Sequence, residues 1–599
     1  MKEFMFKQIL WCQVLLLLMV LTSSAAVRVS PSDPQVRYTG RWNFDNPSIP
    51  WVGWQGSSIM VKFEGTGISV EMGGTHTDQY RVIIDGIPES TRRYFSSSTN
   101  TYVLAEGLSD SIHTMELLKE TFYGMSYFHG LDVEGTGILP LPERPALRIE
   151  FYGDSNMDGS SNYSEKNSGD MGTYYAFPAM VTRMLGAEMN NQSVGGAQLY
   201  GTGDNCVGSF IFSQDYYTQD PGYRSGFDPH IIVVNAGAND IWDNSKSAIK
   251  NRYKDVIYDL RQVYGAGPNI ILMNAYGWDI QEPANYTKEV VDELGDSNLS
   301  VCLFPWLWEQ WHGSQWDHSG EAHVLLDHIK SLNPEWDQVN QGDIIDGFGH
   351  KWDFANGSFE YDAPFGGFGW RYYTDGVERI QDPDQAAAGD YYIRLEAGEE
   401  VHQPTDATGD FLPGPSTGSE TYYISAMIRG SGDGALAQIK CDFQGQQIWT
   451  RGSSQTTTFD VTTEWESYTA SFQAPAGKWT LFTTLRSSSG TVEFDSVSMS
   501  NTEHVGFGIR ESDSNDEQSN EAIISPNPVS DESILSFDNP GGQPMSIQIY
   551  SSSGALIKVL RTTSNRVPLS STEFQQGLYL YRIFKGSDPP HIEGRFIVN

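Results

Sequence analysis

The apolar residues of this chain change their spacing along its length, and that change limits what the chain can fold into. From residue 27 to about 140 they alternate with polar residues, as in Ile59-Met60-Val61-Lys62-Phe63 and Tyr80-Arg81-Val82-Ile83-Ile84, with glycine turns between. A two-residue repeat buries one face of a strand, so this stretch reads as a β-sandwich of the jelly-roll kind. A hinge with Pro140, Pro142 and Pro145 follows. Residues 146 to about 335 then alternate short apolar runs (147–152, 231–235, 270–274, 301–304) with helical patterns (174–185, 245–263, 285–294, 323–332). That alternation predicts a parallel sheet covered on both faces, with its chemistry at the carboxyl ends of the strands. Residues 340–500 return to all-β patterning, 501–521 form an acidic linker, and 522–599 are a small β-rich end. Four modules suit 599 residues at about 150 per domain.

Charge and the N-terminus narrow the setting. Against 76 acidic residues stand 38 basic ones, a formal net charge of −38. Nucleic acid and anionic membrane surfaces both select positive charge, so neither is an expected partner. Lys2 and Lys7, the apolar run 9–21 and Ser23-Ser24-Ala25-Ala26 read as an export signal over 1–26. The apolar run is short of the ~20 residues that span a bilayer, and no other stretch qualifies, so the mature chain has no transmembrane segment. Outside the signal lie Cys206, Cys302 and Cys441, an odd number without metal-ligand spacing. They allow at most one disulfide and fit buried thiols, with no zinc or redox role.

Three motifs follow strand-like runs of the second module. Gly153-Asp154-Ser155 can raise a serine hydroxyl above a sheet, with its own N–H facing a developing oxyanion, although Asp-Ser also makes plain turns and caps. Asp154, Asn156, Asp158, Gly159 and Glu165 also match the spacing of an EF-hand calcium loop. That loop needs an entering helix, whereas residues 147–152 alternate like a strand, so no metal is expected. Gly195-Gly196 and Gly237-Ala238-Asn239-Asp240 can supply a backbone N–H and an Asn amide to an oxyanion hole. Each such donor contributes about 3–4 kcal/mol in comparable enzymes. Singly they are turns; on consecutive strand ends they make a site. A serine nucleophile needs a base, and histidine is best matched near neutral pH. His230 precedes a strand, while His323 and His328 fall in the last helical pattern. His312 and His318 fall in the loop before it, and Asp317-His318-Ser319-Gly320 at the helix start favours His318.

This series of Gly-Asp-Ser, Gly, Gly-x-Asn-Asp and a late His resembles the SGNH (GDSL-type) hydrolases. Placed after a β-sandwich, it resembles more narrowly carbohydrate esterase family two, over residues 30–335. The resemblance implies a three-layer, flavodoxin-like α/β domain that removes acetyl groups from polysaccharides such as xylan, without metal or organic cofactor. It implies Ser155 as nucleophile, His318 as base, and an oxyanion hole of the Ser155 N–H, the Gly196 N–H and the Asn239 side chain. It also marks a departure. The acid usually lies three or two residues before the histidine, where this chain has Gln315 and Trp316. Adjacent Asp317 is the candidate third member; otherwise it caps the helix and a backbone carbonyl orients His318 in a Ser–His dyad. Trp242, Trp278 and Trp316, with Trp306, Trp308 and Trp311, crowd the strand ends as sugar-stacking candidates or as core.

Two accessory resemblances complete the chain. Residues 354–360, 389–395 and 494–497 are similar to galactose-binding-like β-sandwiches, including carbohydrate-binding modules, with Trp352, Trp370 and Trp449 as stacking or core residues. Ser525-Pro-Asn-Pro528, Gly577-Leu-Tyr-Leu-Tyr581 and the terminal Gly-Arg-Phe-Ile-Val-Asn resemble a type A sorting domain of the type IX secretion system, forming a small C-terminal β-sandwich. The expectation is a secreted or surface-attached esterase acting on an acetylated polysaccharide and exported by that machinery. The alternatives are a carbohydrate-binding protein that has lost activity, or an esterase for pectic or sialic acid acetates.

Overall fold

The computed structural model describes residues 26–160, 171–201, 205–216, 218–241, 245–275, 282–304, 312–344, 347–350, 353–364, 367–371, 376–406, 416–444, 454–478, 480–501, 522–525, 533–537, 539, 543, 545–551, 556–574, 577–585 and 592–598. Residues 1–25 of the proposed export signal lie outside them.

The first domain is built on two long strands, Ser58–Gly74 and Ser126–Leu139, paired antiparallel through several register shifts. Such shifts bend long strands so that one chain segment can serve both faces of a core. The alternating residues Val61, Phe63, Val70, Val82, Leu117, Phe128 and Val133 meet in that core.

In the second domain we number the strands and helices from β1. The order is β1 (Arg148–Gly153), α1 (Ser155–Asp158), α2 (Phe177–Met184), β2 (Glu188–Ser193), α3 (Val207–Phe210), β3 (Ile231–Asn235), α4 (Lys246–Tyr264), β4 (Asn269–Met273), α5 (Glu282–Leu294), β5 (Leu299–Cys302) and α6 (Gln315–Leu332). The sheet is parallel throughout, in the order β2-β1-β3-β4-β5. Alternate strand residues feed two cores, as expected for strands buried on both faces. Ile149, Phe151, Val233 and Ile271 pack under α2 and α6, and Tyr152, Ile232, Val234 and Leu272 pack under α4.

Helix α6 starts at Gln315, earlier than the periodicity predicts. Ser314 is its N-cap and Asp317, three residues on, returns the bond to the cap backbone. This reciprocal box fixes the first turn in a stretch where the apolar spacing is weak, and it draws His318 out of the loop and into the helix.

Buried polar contacts fasten the first domain to the sheet. Arg41 donates to the Phe210 and Ser213 carbonyls, each at 2.7 Å, to Glu150 at 2.9 Å and to the Tyr152 hydroxyl at 2.6 Å. Glu120, paired with Arg81, accepts the Tyr174 N–H at 2.9 Å. Gln55 donates from Nε2 to the Ser193 carbonyl at 2.6 Å and hydroxyl at 2.9 Å.

The third domain is an antiparallel sheet arrangement dominated by Thr421–Gln444 and Thr480–Ser500, with Ile424, Ile439, Leu485 and Phe494 in its core. Trp370 belongs to that core, packed on Phe354 and Phe359, so it presents no face to a sugar. Trp352 and Trp449 lie outside the described residues. The C-terminal unit pairs Ala522–Ser525, Ser533–Phe537 and Arg566–Leu569 in one sheet. Met545–Ser551, Leu556–Thr562, Gly577–Lys585 and Ile592–Val598 form a second. Cys206, Cys302 and Cys441 are buried and form no disulfide among the described residues. Among the described residues no helix is long and apolar enough to cross a membrane.

Both side chains of the Arg41–Glu150 pair are fully buried. Arg41→Ala leaves Glu150 uncompensated, and losing one partner of such a pair costs about 3–5 kcal/mol. Urea unfolding of the variant should show that loss in the transition of the first two domains; a loss under about 1 kcal/mol would contradict the assignment.

Candidate active site

Parallel register sets Gly153 of β1 beside Ser193 of β2 and Asn235 of β3. Beyond this row each strand breaks into a turn. Asp154 is extended and its carboxylate accepts the Asn156 N–H at 3.1 Å, which caps the single helical turn α1. Ser155 is the first residue of that turn. It is partly exposed, while Asp154, Asn156, Met157 and Asp158 around it are buried. The segment entering Asp154 is the strand β1, not the helix that an EF-hand requires.

The neighbouring turns are braced against α1 and each other. Asp158 accepts from the N–H and hydroxyl of Ser160, at 2.8 and 2.6 Å, and a Cβ on Gly195 would lie 3.5 Å from its other oxygen. Gly196 follows with φ of +77°, a conformation that costs an L side chain strain. The Asn191 amide donates to the Met157 carbonyl at 3.1 Å, and the Ser193 hydroxyl donates to Asn191 at 2.7 Å. Asn239 donates one amide hydrogen to the Ala197 carbonyl at 2.9 Å. An Asn amide has two, so one remains for another acceptor. Asp240 accepts the Leu199 N–H at 3.0 Å and an Arg252 N–H at 2.7 Å. Ser155, Gly196 and Asn239 therefore stand on three adjacent strand ends, held by bonds that none of their reactive groups supplies alone.

The histidine expectation changes. His318 is fully buried in the first turns of α6, with its ring stacked on Phe177 and its Nδ1 accepting the Phe177 N–H at 3.4 Å. An accepting Nδ1 places the proton of a neutral ring on Nε2. Burial, helped by the charge of nearby His312, pushes its pKa down to about 3. His312 lies two residues before the Ser314 cap and is only half-buried; burial lowers its pKa as well. The loop histidine in this structure is His312.

Asp317 does not face a histidine ring through its bonded oxygen. Its Oδ2 accepts the N–H and hydroxyl of Ser314, at 2.8 and 2.7 Å, and an N–H of Arg371 at 2.7 Å. Trp316 is 1% exposed and its indole donates to the Gly367 carbonyl at 3.0 Å, so it cannot stack on substrate. Trp242, Trp278, Trp306, Trp308 and Trp311 lie outside the described residues.

Carboxyl groups gather beneath the turn. Burial pushes Asp154 and Asp158 up to about 7. Glu321 of α6 is fully buried, and burial, with the charges of Asp154 and Asp317, raises it well above the usual carboxylate range. Among the described residues no three His, Cys, Asp or Glu side chains are arranged to hold a metal ion.

Comparison with known families assigns these parts. Residues 38–142 match the carbohydrate esterase 2 N-terminal family, and 149–353 match the GDSL-like lipase/acylhydrolase family. Residues 524–599 match the secretion system C-terminal sorting domain. The chain thus joins a carbohydrate esterase 2 N-terminal domain and a GDSL-like domain to a sorting tail, and it spans less than half the length of the curated relative that it matches. The sorting domain makes it a secreted or cell-surface protein.

Cellulase/esterase CelE of Acetivibrio thermocellus is 27% identical over 328 residues, which are 50% of this chain and 40% of that protein. Among solved structures, a family two carbohydrate esterase from Clostridium thermocellum in complex with cellohexaose is 26% identical, with a TM-score of 0.46 over 50% of this chain and 99% of that one. An acetyl xylan esterase, Est2A, from Butyrivibrio proteoclasticus is 16% identical, with a TM-score of 0.46 over 52% and 100%.

Sequence reasoning sets His312 behind His318, reads Asp158 only as part of a calcium-loop spacing, and does not single out Arg371. The Ser314-x-x-Asp317 spacing was the available signal for the first: a capping box places the helix start after His312 and before His318. Diethyl pyrocarbonate should therefore modify His312 in the native protein well before His318, as read by peptide mass spectrometry. Equal rates at the two residues would contradict this placement.

Proposed function

We propose that the chain hydrolyses O-acetyl esters on polysaccharides of the xylan type through an acyl-enzyme on Ser155. The supporting observation is the row Gly153–Ser193–Asn235, which sets Ser155, Gly196 and Asn239 on adjacent strand ends. In this reading the base is His312, in place of His318. His312 takes the Ser155 proton, the serine oxygen attacks the acetyl carbonyl, and the carbonyl oxygen becomes an oxyanion. The Ser155 N–H, the Gly196 N–H and the second Asn239 amide hydrogen receive that charge. The sugar hydroxyl leaves with the proton from His312. Water then repeats the sequence and acetate departs, regenerating Ser155. Every step is a proton or acyl transfer, so no cofactor is invoked. The third domain is proposed as a galactose-binding-like module that holds the polymer, and the type IX machinery as the exporter that reads the C-terminal unit.

Purified mature protein should release acetate from a panel of acetylated polysaccharides. Ser155→Ala and His312→Ala should each lower kcat/KM by at least about 10³-fold, while His318→Asn stays within about tenfold of wild type. No acetate from any polymer or from an aryl acetate would end the esterase reading. Full loss in His318→Asn with an active His312→Ala would return the base to His318.

The pH profile follows from the direction of the His312 shift. A base must be unprotonated, so kcat/KM falls as pH drops through its pKa in the folded protein. Burial lowers that pKa, so the acid limb should sit below the ordinary histidine value of about 6.5. An acid limb at pH 7 or above would contradict the assignment.

A further inference from the structure

We propose that Arg371, a residue of the third domain, is a positioning residue for this hydrolysis, acting through Asp317 on the turn that carries His312. The inference rests on the functional reading above. Its basis is an ion pair across a domain boundary: an Arg371 N–H donates to Asp317 Oδ2 at 2.7 Å, with the two side chains 14% and 0% exposed. The same oxygen accepts both the N–H and the hydroxyl of Ser314. One carboxylate oxygen thus joins the third domain to the N-cap of α6, two residues from His312.

Arg371 is itself held on three sides. Its backbone exchanges N–H to carbonyl bonds of 2.9 Å with His402, and its guanidinium lies over the Phe348 ring at 5.2 Å. Phe348 stacks on Trp316 at 6.2 Å and donates its N–H to the Trp316 carbonyl at 3.1 Å. Beneath this stack α6 meets the interdomain segment backbone to backbone. A Cβ on Gly320 would lie 1.9 Å from the Phe348 oxygen, and one on Gly347 would lie 2.0 Å from the Gly320 nitrogen. Trp316, expected to meet sugar, is the wedge of this joint. Residues 344–363 also contribute Ile344, Phe348, Ala355 and Ala363 to the core under α6. The third domain is therefore seated on α6, and Arg371 is where that seat reaches the charged cap of the helix.

The pair also sets the local charge. Asp317 faces Ser314 and Glu321 on its own helix, Arg371 from the third domain and, through Glu321, Asp154 at the end of β1. His318 and His312 are the neighbouring groups able to carry positive charge. Arg371 compensates the Asp317 carboxylate. Without it the Asp317 carboxylate keeps only its Ser314 bonds, and its uncompensated charge, five residues on from His312, favours protonated histidine.

The test compares wild type with Arg371→Gln, Arg371→Lys and the double variant Arg371→Gln/Asp317→Asn on an acetylated polymer, with folding checked by circular dichroism. Arg371→Gln should lower kcat about 10- to 100-fold with KM nearly unchanged, the range expected when reacting groups are slightly misplaced. Its acid limb should move to higher pH. Arg371→Lys should recover part of kcat, and the double variant should lose the upward shift of the limb. A purely structural role would lower stability without moving the limb. Wild-type kcat and limb in Arg371→Gln would overturn the proposal. If that variant does not fold, Asp317→Asn carries the test: lowered kcat supports the proposal and wild-type kcat overturns it. A wild-type protein that releases no acetate removes the functional reading and this inference with it; an active wild type with an unaffected Arg371→Gln removes only the inference.

Discussion

Parallel pairing of β1 with both β2 and β3 is the constraint on which the rest depends. A parallel strand buried on both faces cannot turn back on itself, so it must leave the sheet through a loop at its carboxyl end. Three such exits lie side by side at Gly153, Ser193 and Asn235. The three groups proposed to handle an acyl carbonyl lie within four residues of that row. The turns are short because their polar groups are satisfied locally: Asp154 caps α1, Asp158 accepts from Ser160, and Asn239 donates to Ala197.

The flanking domains finish what the sheet begins. Gln55 of the first domain donates to Ser193 at the end of β2, and Ser193 in turn holds Asn191, which reaches the Met157 carbonyl in the turn behind Ser155. Glu120 accepts the Tyr174 N–H just before α2, whose Phe177 N–H reaches His318. From the other direction the third domain wedges against Trp316 and pairs Arg371 with Asp317. Buried polar contacts of this kind add little net stability when complete, yet they cost several kcal/mol when half is removed. They therefore suit a role in which one geometry must be held.

Much of this was legible in the sequence for physical reasons. The strand 231–235 is a continuous apolar run because both its faces are buried, and the alternation of 58–74 shows because only one face is. Gly-Asp-Ser and Gly-x-Asn-Asp were legible because turns at strand ends need those residue types locally. The start of α6 was misread because helix periodicity is weak where a helix is buried nearly all round, as α6 is from Gln315 to His323. The local capping box, not the apolar spacing, fixes that start, and it separates His312 from His318. For Trp316 and Asp317 the sequence left two roles open each, and the structure shows the core and cap ones. Their partners Gly367 and Arg371 lie about 50 residues further on, in another domain, and no local pattern in the sequence foretells that docking.

The central claim is that one serine, made reactive by the loop histidine His312, carries the chemistry of this chain. Labelling with an aryl phosphonate fluoride, followed by intact-mass and peptide mapping, tests it directly. The account predicts a single adduct on Ser155, formed quickly in wild type and far more slowly in His312→Ala. An adduct elsewhere, or equal labelling rates in the two proteins, would contradict it.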